Sequence, residues 1–282
     1  MPSQLKSHLK SIPWIYKLLF PVVQILRWTK PSKLQYELVR RRCFSKFEKN
    51  PVLQVRQSGI SSHFHAISAK NYWHIYLNRN EMDAYLNLGL RKGDDVLDIG
   101  GSVGAYTIPI SKFVGDSGSV HVFEPEPDSM QALKRNMALN SLTNCTPHEI
   151  AVSSTNGVAT FFVRPEKDTH SIFEKSLAAS PTGRLERIQV PMRSIDSLVA
   201  EGTVPQPNFV KIDVEGAELE VLAGMTETIK KVRALYIECH DTLDADMGLG
   251  NPIEVVSDRL RAMSINRILK VDANHVLAIV ND

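Results

Sequence analysis

From about residue 80 to the end of the chain, short apolar runs alternate with amphipathic stretches, and no other feature constrains the fold as tightly. "DVLDIG", "SVHVFEP", "CTPHEIAVS", "PNFVKIDVEG" and "ALYIECHD" read as strands. "NEMDAYLNLGL" (80–90), "VGAYTIPISKFV", "DSMQALKRNMALN", "SIDSLVAEG", "AELEVLAGMTETIKKV" and a stretch around 251–264 read as helices. Strands separated by helices pair in parallel, because a parallel neighbour needs a long crossover. "INRILKV" and "HVLAIV" face each other across "DANH", a hairpin that makes the last strand antiparallel. The expected architecture is α/β, a mostly parallel sheet with helices on both faces and an antiparallel final strand. "VATFFV" and "IQVPMR" are further β-type runs that flank a polar loop, 164–186.

The 282 residues suit one large α/β domain with an extension. Charge marks the extension. Residues 1–50 hold eleven Lys and Arg against Glu37 and Glu48, and the rest of the chain is acidic by seven charges. The boundary is placed so that 1–70 form a basic amphipathic, helical N-terminal extension and 71–282 the main domain. The run "IPWIYKLLFPVVQILRW" (12–28) is too short to span a bilayer and is broken by Lys17, Pro21 and Gln24. Two readings stay open: it packs on the domain, or it lies on an anionic membrane with Trp14, Tyr16 and Trp28 among the headgroups. Apolar residues outnumber basic ones there, so no nucleic-acid partner is expected. Three widely spaced cysteines make a disulfide framework or a zinc site unlikely and point to the cytoplasm, with peripheral membrane contact through 1–50 as the added option.

The strand "VLDIG" runs into Gly100, Gly101 and Gly104, a turn whose backbone admits a nucleotide-like ligand. Asp98 stands just before the glycines. A pyrophosphate disfavours a carboxylate at that point, whereas the ammonium and sulfonium of S-adenosylmethionine favour one. A nicotinamide fingerprint from Gly100 would need glycine at Ser102 and Ala105. Glu124 ends the next strand, where a carboxylate can accept both ribose hydroxyls. Glu149 and Ala151 end the third strand and are candidates for the adenine side.

These stretches, with "EIAVSS", "FVKIDVEGAELEVLAG" and "YIECHD", resemble the FkbM family of S-adenosylmethionine-dependent methyltransferases over about residues 75–240. The resemblance implies a class I, Rossmann-like methyltransferase fold with seven strands. It also implies methylation of a hydroxyl oxygen on a sugar, glycolipid or secondary metabolite. Gly101 and Ser102 stand where the family commonly has Ala and Asn.

Methyl transfer needs the acceptor oxygen held in line and relieved of its proton. Asp213 and Glu215 in "KIDVEG", and Glu238 and His240 in "IECHD", lie at the expected strand ends. Asp213, Glu238 and His240 are the catalytic candidates, His240 as general base at neutral pH. The same carboxylates and imidazole could hold a divalent cation; no metal ligand set is assigned. Lys211 is read as structural, and His170 and Ser171 as the site-like residues of the 164–186 loop. The acceptor is a small or lipid-linked hydroxyl compound, and the sequence leaves the oligomeric state open. The alternatives are a non-catalytic cofactor-fold scaffold at a membrane and a nicotinamide-dependent reductase, the latter opposed by Asp98 and the glycine spacing.

Overall fold

The computed structural model describes residues 52–65, 85, 89–164, 169–171, 185–240 and 251–281. The chain divides into two compact units, 1–79 and 80–282. Of the expected helical extension, 1–70, residues 1–51 and 66–70 lie outside the described residues, and the part between them is not helical. What is described of the first unit is a β-hairpin, β1 (Val52–Gln57) paired antiparallel with β2 (Ile60–His65). The turn is Ser58-Gly59, both at positive φ, which matches the twist of paired strands. Sequence reading passed over this hairpin because its turn residues follow a strand of mixed polarity, "VLQVRQ".

The second unit carries a seven-stranded sheet. Its strands in chain order are β3 (Asp95–Ile99), β4 (Ser119–Phe123), β5 (Cys145–His148), β10 (Phe209–Ile212), β11 (Ala234–Glu238), β12 (Arg267–Lys270) and β13 (His275–Ile279). They lie side by side as β12-β13-β11-β10-β3-β4-β5. β11, β10, β3, β4 and β5 are parallel, and β13 is antiparallel to both neighbours. The chain first builds outward from β3 on one side, then returns to build outward from β10 on the other. The C-terminal ends of β3 and β10 therefore flank the switch point, where open α/β sheets bind ligands.

Register decides what each face carries. Leu97, Ile99, Phe123, Val210, Ile212, Leu235, Ile237, Val276 and Ala278 share one face and one apolar core. That core is closed by α3 (Ile195–Ala200), α4 (Glu218–Ala223) and α5 (Pro252–Ala262). The alternate residues Asp98, Lys211 and Tyr236 are direct cross-strand neighbours on the opposite face. That face also receives the start of α1 (Thr107–Val114), through a Thr107–Asp98 hydrogen bond. α2 (Pro127–Leu139) starts with Glu126 as its cap, the carboxylate accepting from the Asp128 and Ser129 N–H groups. Tyr85, of the expected 80–90 helix, packs edge-on against Tyr106, Phe209 and Tyr236; most of that helix lies outside the described residues.

A smaller sheet is added, ordered β6-β9-β7-β8, from β6 (Ala151–Val152), β7 (Gly157–Arg164), β8 (Thr169–Ser171) and β9 (Glu186–Arg193). Phe161, Val163, Val190 and Ala151 form its own core. Three expected elements differ. "CTPHEIAVS" is two strands in two sheets, divided at Glu149 and Ile150. The helix expected from about 103 starts at Thr107, because Ser102 and Gly104 both hold positive φ, which no helix accommodates. "AELEVLAGMTETIKKV" is α4 followed by a 3-10 turn, Thr228–Lys231. The break is at Gly224, where a Cβ would lie 2.0 Å from the Ser153 carbonyl oxygen. Beyond it, Asp196 accepts from the Glu227 and Thr228 N–H groups and fixes the second turn. Among the described residues no helix is long and apolar enough to cross a membrane.

Candidate active site

β3 ends in a turn that is built against β10. Gly100 and Gly101 both donate their N–H to the Phe123 carbonyl. Gly100 holds φ +88, and a Cβ there would meet the Asp213 carbonyl oxygen at 1.7 Å. The glycine is thus required by the neighbouring strand's backbone, not only by a ligand. Gly104, also at φ +88, packs under Leu133.

Glu124, at the end of β4, is buried. Its carboxylate accepts from the Ser102 N–H at 2.8 Å and the Glu126 N–H at 2.9 Å. Burial pushes its pKa up to about 7, and those two backbone donors offset only part of the shift. A carboxylate has about four lone-pair positions, so two remain for further donors.

Asp98 is fully buried and already compensated. Its Oδ2 accepts from the Thr107 hydroxyl at 2.6 Å, and its Oδ1 is 3.3 Å from Lys211 Nζ. Asp98, expected to face a cationic ligand group, thus has a hydroxyl and an ammonium of the protein itself as neighbours. Lys211, read from sequence as structural, spans the switch point: Nζ is 3.3 Å from Asp98 and 3.2 Å from Asp213 Oδ2, and sits 5.1 Å over the Tyr106 ring. Burial alone would lower its pKa, but Asp213, Asp98 and Glu238 more than reverse that and keep it protonated.

The acceptor-side candidates do converge. Asp213 and Glu215 leave β10, Glu238 ends β11, and His240 lies two residues beyond Glu238. His240 Nε2 is 3.7 Å from Asp213, 3.6 Å from Glu215 and 3.9 Å from Glu238. Its Nδ1 lies 2.6 Å from Oε1 of Glu218, a fully buried residue of α4. Burial would lower the His240 pKa, but the Glu218 hydrogen bond and the charges of Glu218, Glu215 and Asp213 win and hold it at about 10. Glu218 behind Nδ1 thus makes this imidazole more basic than a free one.

Two residues of this cluster were missed. Glu218 reads in sequence as an ordinary first-turn helix acid, although three carboxylates within 213–218 were a usable signal. His275 reads as a hairpin residue, yet pairing of β11 with β13 sets it opposite Glu238, Nε2 to Oε2 at 3.4 Å. Glu149 is half exposed and ion-paired with Lys134 at 3.4 Å, and Ala151 is buried in the small sheet's core. His170 lies on β8, in register with Val163, and Ser171 with Phe162; most of the 164–186 loop is outside the described residues.

A family model described as "Methyltransferase FkbM domain" matches residues 98–272. The hexuronic acid methyltransferase AglP of Haloferax volcanii is 35% identical over 191 residues, 66% of this chain and 74% of that protein. The 31-O-demethyl-FK506 methyltransferase FkbM of Streptomyces tacrolimicus is 27% identical over 193 residues, 58% of this chain and 72% of its own length. The 2-O-methyltransferase NoeI of Sinorhizobium fredii is 30% identical over 131 residues, 42% of this chain and 52% of its own length.

Proposed function

The chain belongs to the FkbM methyltransferase family, and from that premise we propose that its acceptor is a hydroxyl group of a sugar, with a uronic acid unit as the first candidate. It is an S-adenosylmethionine-dependent O-methyltransferase. The buried Glu124 fits the cofactor: it is a carboxylate with fewer donors than its burial demands, beside a glycine turn, and the ribose hydroxyls supply two. Glu124 and the Gly100–Gly104 backbone would hold S-adenosylmethionine, with Asp98 shaping the turn through Thr107. When bound, the cofactor supplies an electrophilic methyl group.

The protein's own task is to place and deprotonate the acceptor. The observation that carries this reading is the seat of Gly100 against the Asp213 carbonyl. That contact sets the glycine turn beside the acid-imidazole cluster, which supports reading the two as parts of one site. Asp213, Glu238 and His240 face the acceptor side, and their charge suits hydroxyl-rich ligands. The uronate assignment draws support from AglP, the relative named for hexuronic acid. The basic, aromatic stretch 1–50 supports an acceptor carried on a lipid at an anionic surface. Purified chain with labelled cofactor, offered oligosaccharides ending in a hexuronic acid or in the matching neutral hexose, tests the acceptor. Transfer to the uronate-ended sugar is expected; transfer to neither would remove the sugar assignment.

A further inference from the structure

We propose that Asp213, Glu238 and His240 form a divalent-cation site of the Mn2+ or Mg2+ type. One donor atom from each lies within 4.8 Å of the others. His240 Nε2 stands 3.7 Å from Asp213 Oδ1 and 3.9 Å from Glu238 Oε1. Those separations are too long for hydrogen bonds. They suit donors around one ion, since bonds of about 2.1 Å place ligands roughly 3 to 4 Å apart.

The other atom of each group is held from outside the trio. Glu218 Oε1 takes His240 Nδ1 at 2.6 Å. Lys211 Nζ takes Asp213 Oδ2 at 3.2 Å. His275 Nε2 lies at ion-pair distance, 3.4 Å, from Glu238 Oε2, and Asp272 in turn holds His275 Nδ1 at 2.8 Å. A carboxylate behind a ligating imidazole is what fixes the ring and its tautomer in metal sites.

A separate observation concerns charge. Glu218 is fully buried, and its Oε2 has no hydrogen-bond partner among the described residues. Five carboxylates, Asp98, Asp213, Glu215, Glu218 and Glu238, meet one lysine and two imidazoles, His240 and His275, here. A buried carboxylate left short of donors is costly, and a divalent cation beside His240 supplies the missing charge. Two carboxylates and one nitrogen suit Mn2+, which accepts imidazole more readily than Mg2+ does.

The use of the ion rests on the methyl-transfer reading; the site itself does not. An ion with positions left open binds two adjacent oxygens of a sugar, the acceptor hydroxyl and its neighbour. Coordination lowers the hydroxyl pKa, and its proton leaves to solvent. The acceptor oxygen then forms the new O–C bond as the S–C bond of the donor breaks, and the sulfonium becomes a neutral thioether. The expected substrates therefore carry a second oxygen beside the methylated hydroxyl, as vicinal diols and uronates do.

The test is Mn2+ binding to the full, chelator-treated chain, followed by the electron paramagnetic resonance signal of free Mn2+. One saturable ion per chain is expected, displaced by Mg2+. Glu238→Gln and Asp213→Asn should each weaken it at least tenfold, and Glu218→Gln ten- to a hundredfold. Should Asp213→Asn fail to fold, Glu238→Gln at a more exposed position decides. No saturable Mn2+, or equal binding by wild type and Glu238→Gln, overturns the proposal. Calorimetry with S-adenosylmethionine on the same samples keeps the two readings apart. Cofactor binding without Mn2+ binding removes only the ion, and loss of both points to the methyltransferase reading itself.

Discussion

Burial pushes the Glu124 pKa up to about 7, so its carboxyl takes up a proton as the pH falls through the neutral range. Ribose hydroxyls donate to the ionised form, so protonation opposes cofactor binding. Affinity for S-adenosylmethionine should rise with pH through the Glu124 pKa of about 7 and level off roughly one unit above it. Glu124→Gln should flatten that profile and weaken binding by about 1.5–3 kcal/mol, the loss of charge-assisted hydrogen bonds. Calorimetry across the pH range checks both. Asp98 should behave differently. Asp98→Ala removes one of the two carboxylates beside the buried Lys211, Asp213 remaining, and leaves the Thr107 hydroxyl without its acceptor; it should cost about 1–3 kcal/mol of stability, read as a lower urea midpoint. A second contrast lies in the turn itself: Ser102 holds φ 47 without being glycine. Asn tolerates that region better, so Ser102→Asn should raise the melting temperature slightly. The strand-end position of Asp98 and Glu124 was legible in the sequence. The partner of Asp98 was not, because Lys211 meets it only through a cross-strand register set 113 residues apart.

The elements that carry the site were legible where their periodicity was strong. α2 and α5 stand where the amphipathic pattern put them, and the final hairpin pairs antiparallel. Failures fall where one backbone contact overrides a pattern. α4 ends at Gly224, a position where the Ser153 carbonyl leaves no room for a side chain. The small sheet divides a run that reads as one strand, since neither strand pattern nor length tells which sheet will take Ala151. Gly100 is the strictest of these contacts. Gly100→Ala combines a positive φ with a Cβ at 1.7 Å from the Asp213 carbonyl oxygen. It should part β3 from β10 and destabilise the chain by roughly 4 kcal/mol or more, among the largest effects of single substitutions. Gly101→Ala should cost less, because the atom it meets is the Val122 Cγ2, a side-chain methyl. Thermal melts of the two variants compare them directly.

For the whole molecule, the charge split between 1–50 and the rest is what the proposed contact with an anionic membrane rests on. Each Lys or Arg close to an anionic bilayer contributes about 1 kcal/mol, and salt weakens the attraction. Full-length protein should sediment with phosphatidylglycerol vesicles at low salt and release at high salt. A chain starting at residue 51 should bind S-adenosylmethionine and ignore the vesicles. Equal sedimentation of both would assign the contact elsewhere.

The strand order has a consequence for how the protein is made. β3 leaves the ribosome early and pairs with β4, which pairs with β5, while its other edge waits for β10, the central strand, more than a hundred residues later. Until then the sheet has an open apolar edge of the kind that recruits other chains. Long-range parallel pairing is slow, so the nascent chain carries this exposed edge through much of its synthesis. Expression of residues 1–205 should give a chain that aggregates or is held by chaperones, because only the arrival of β10 buries the edge.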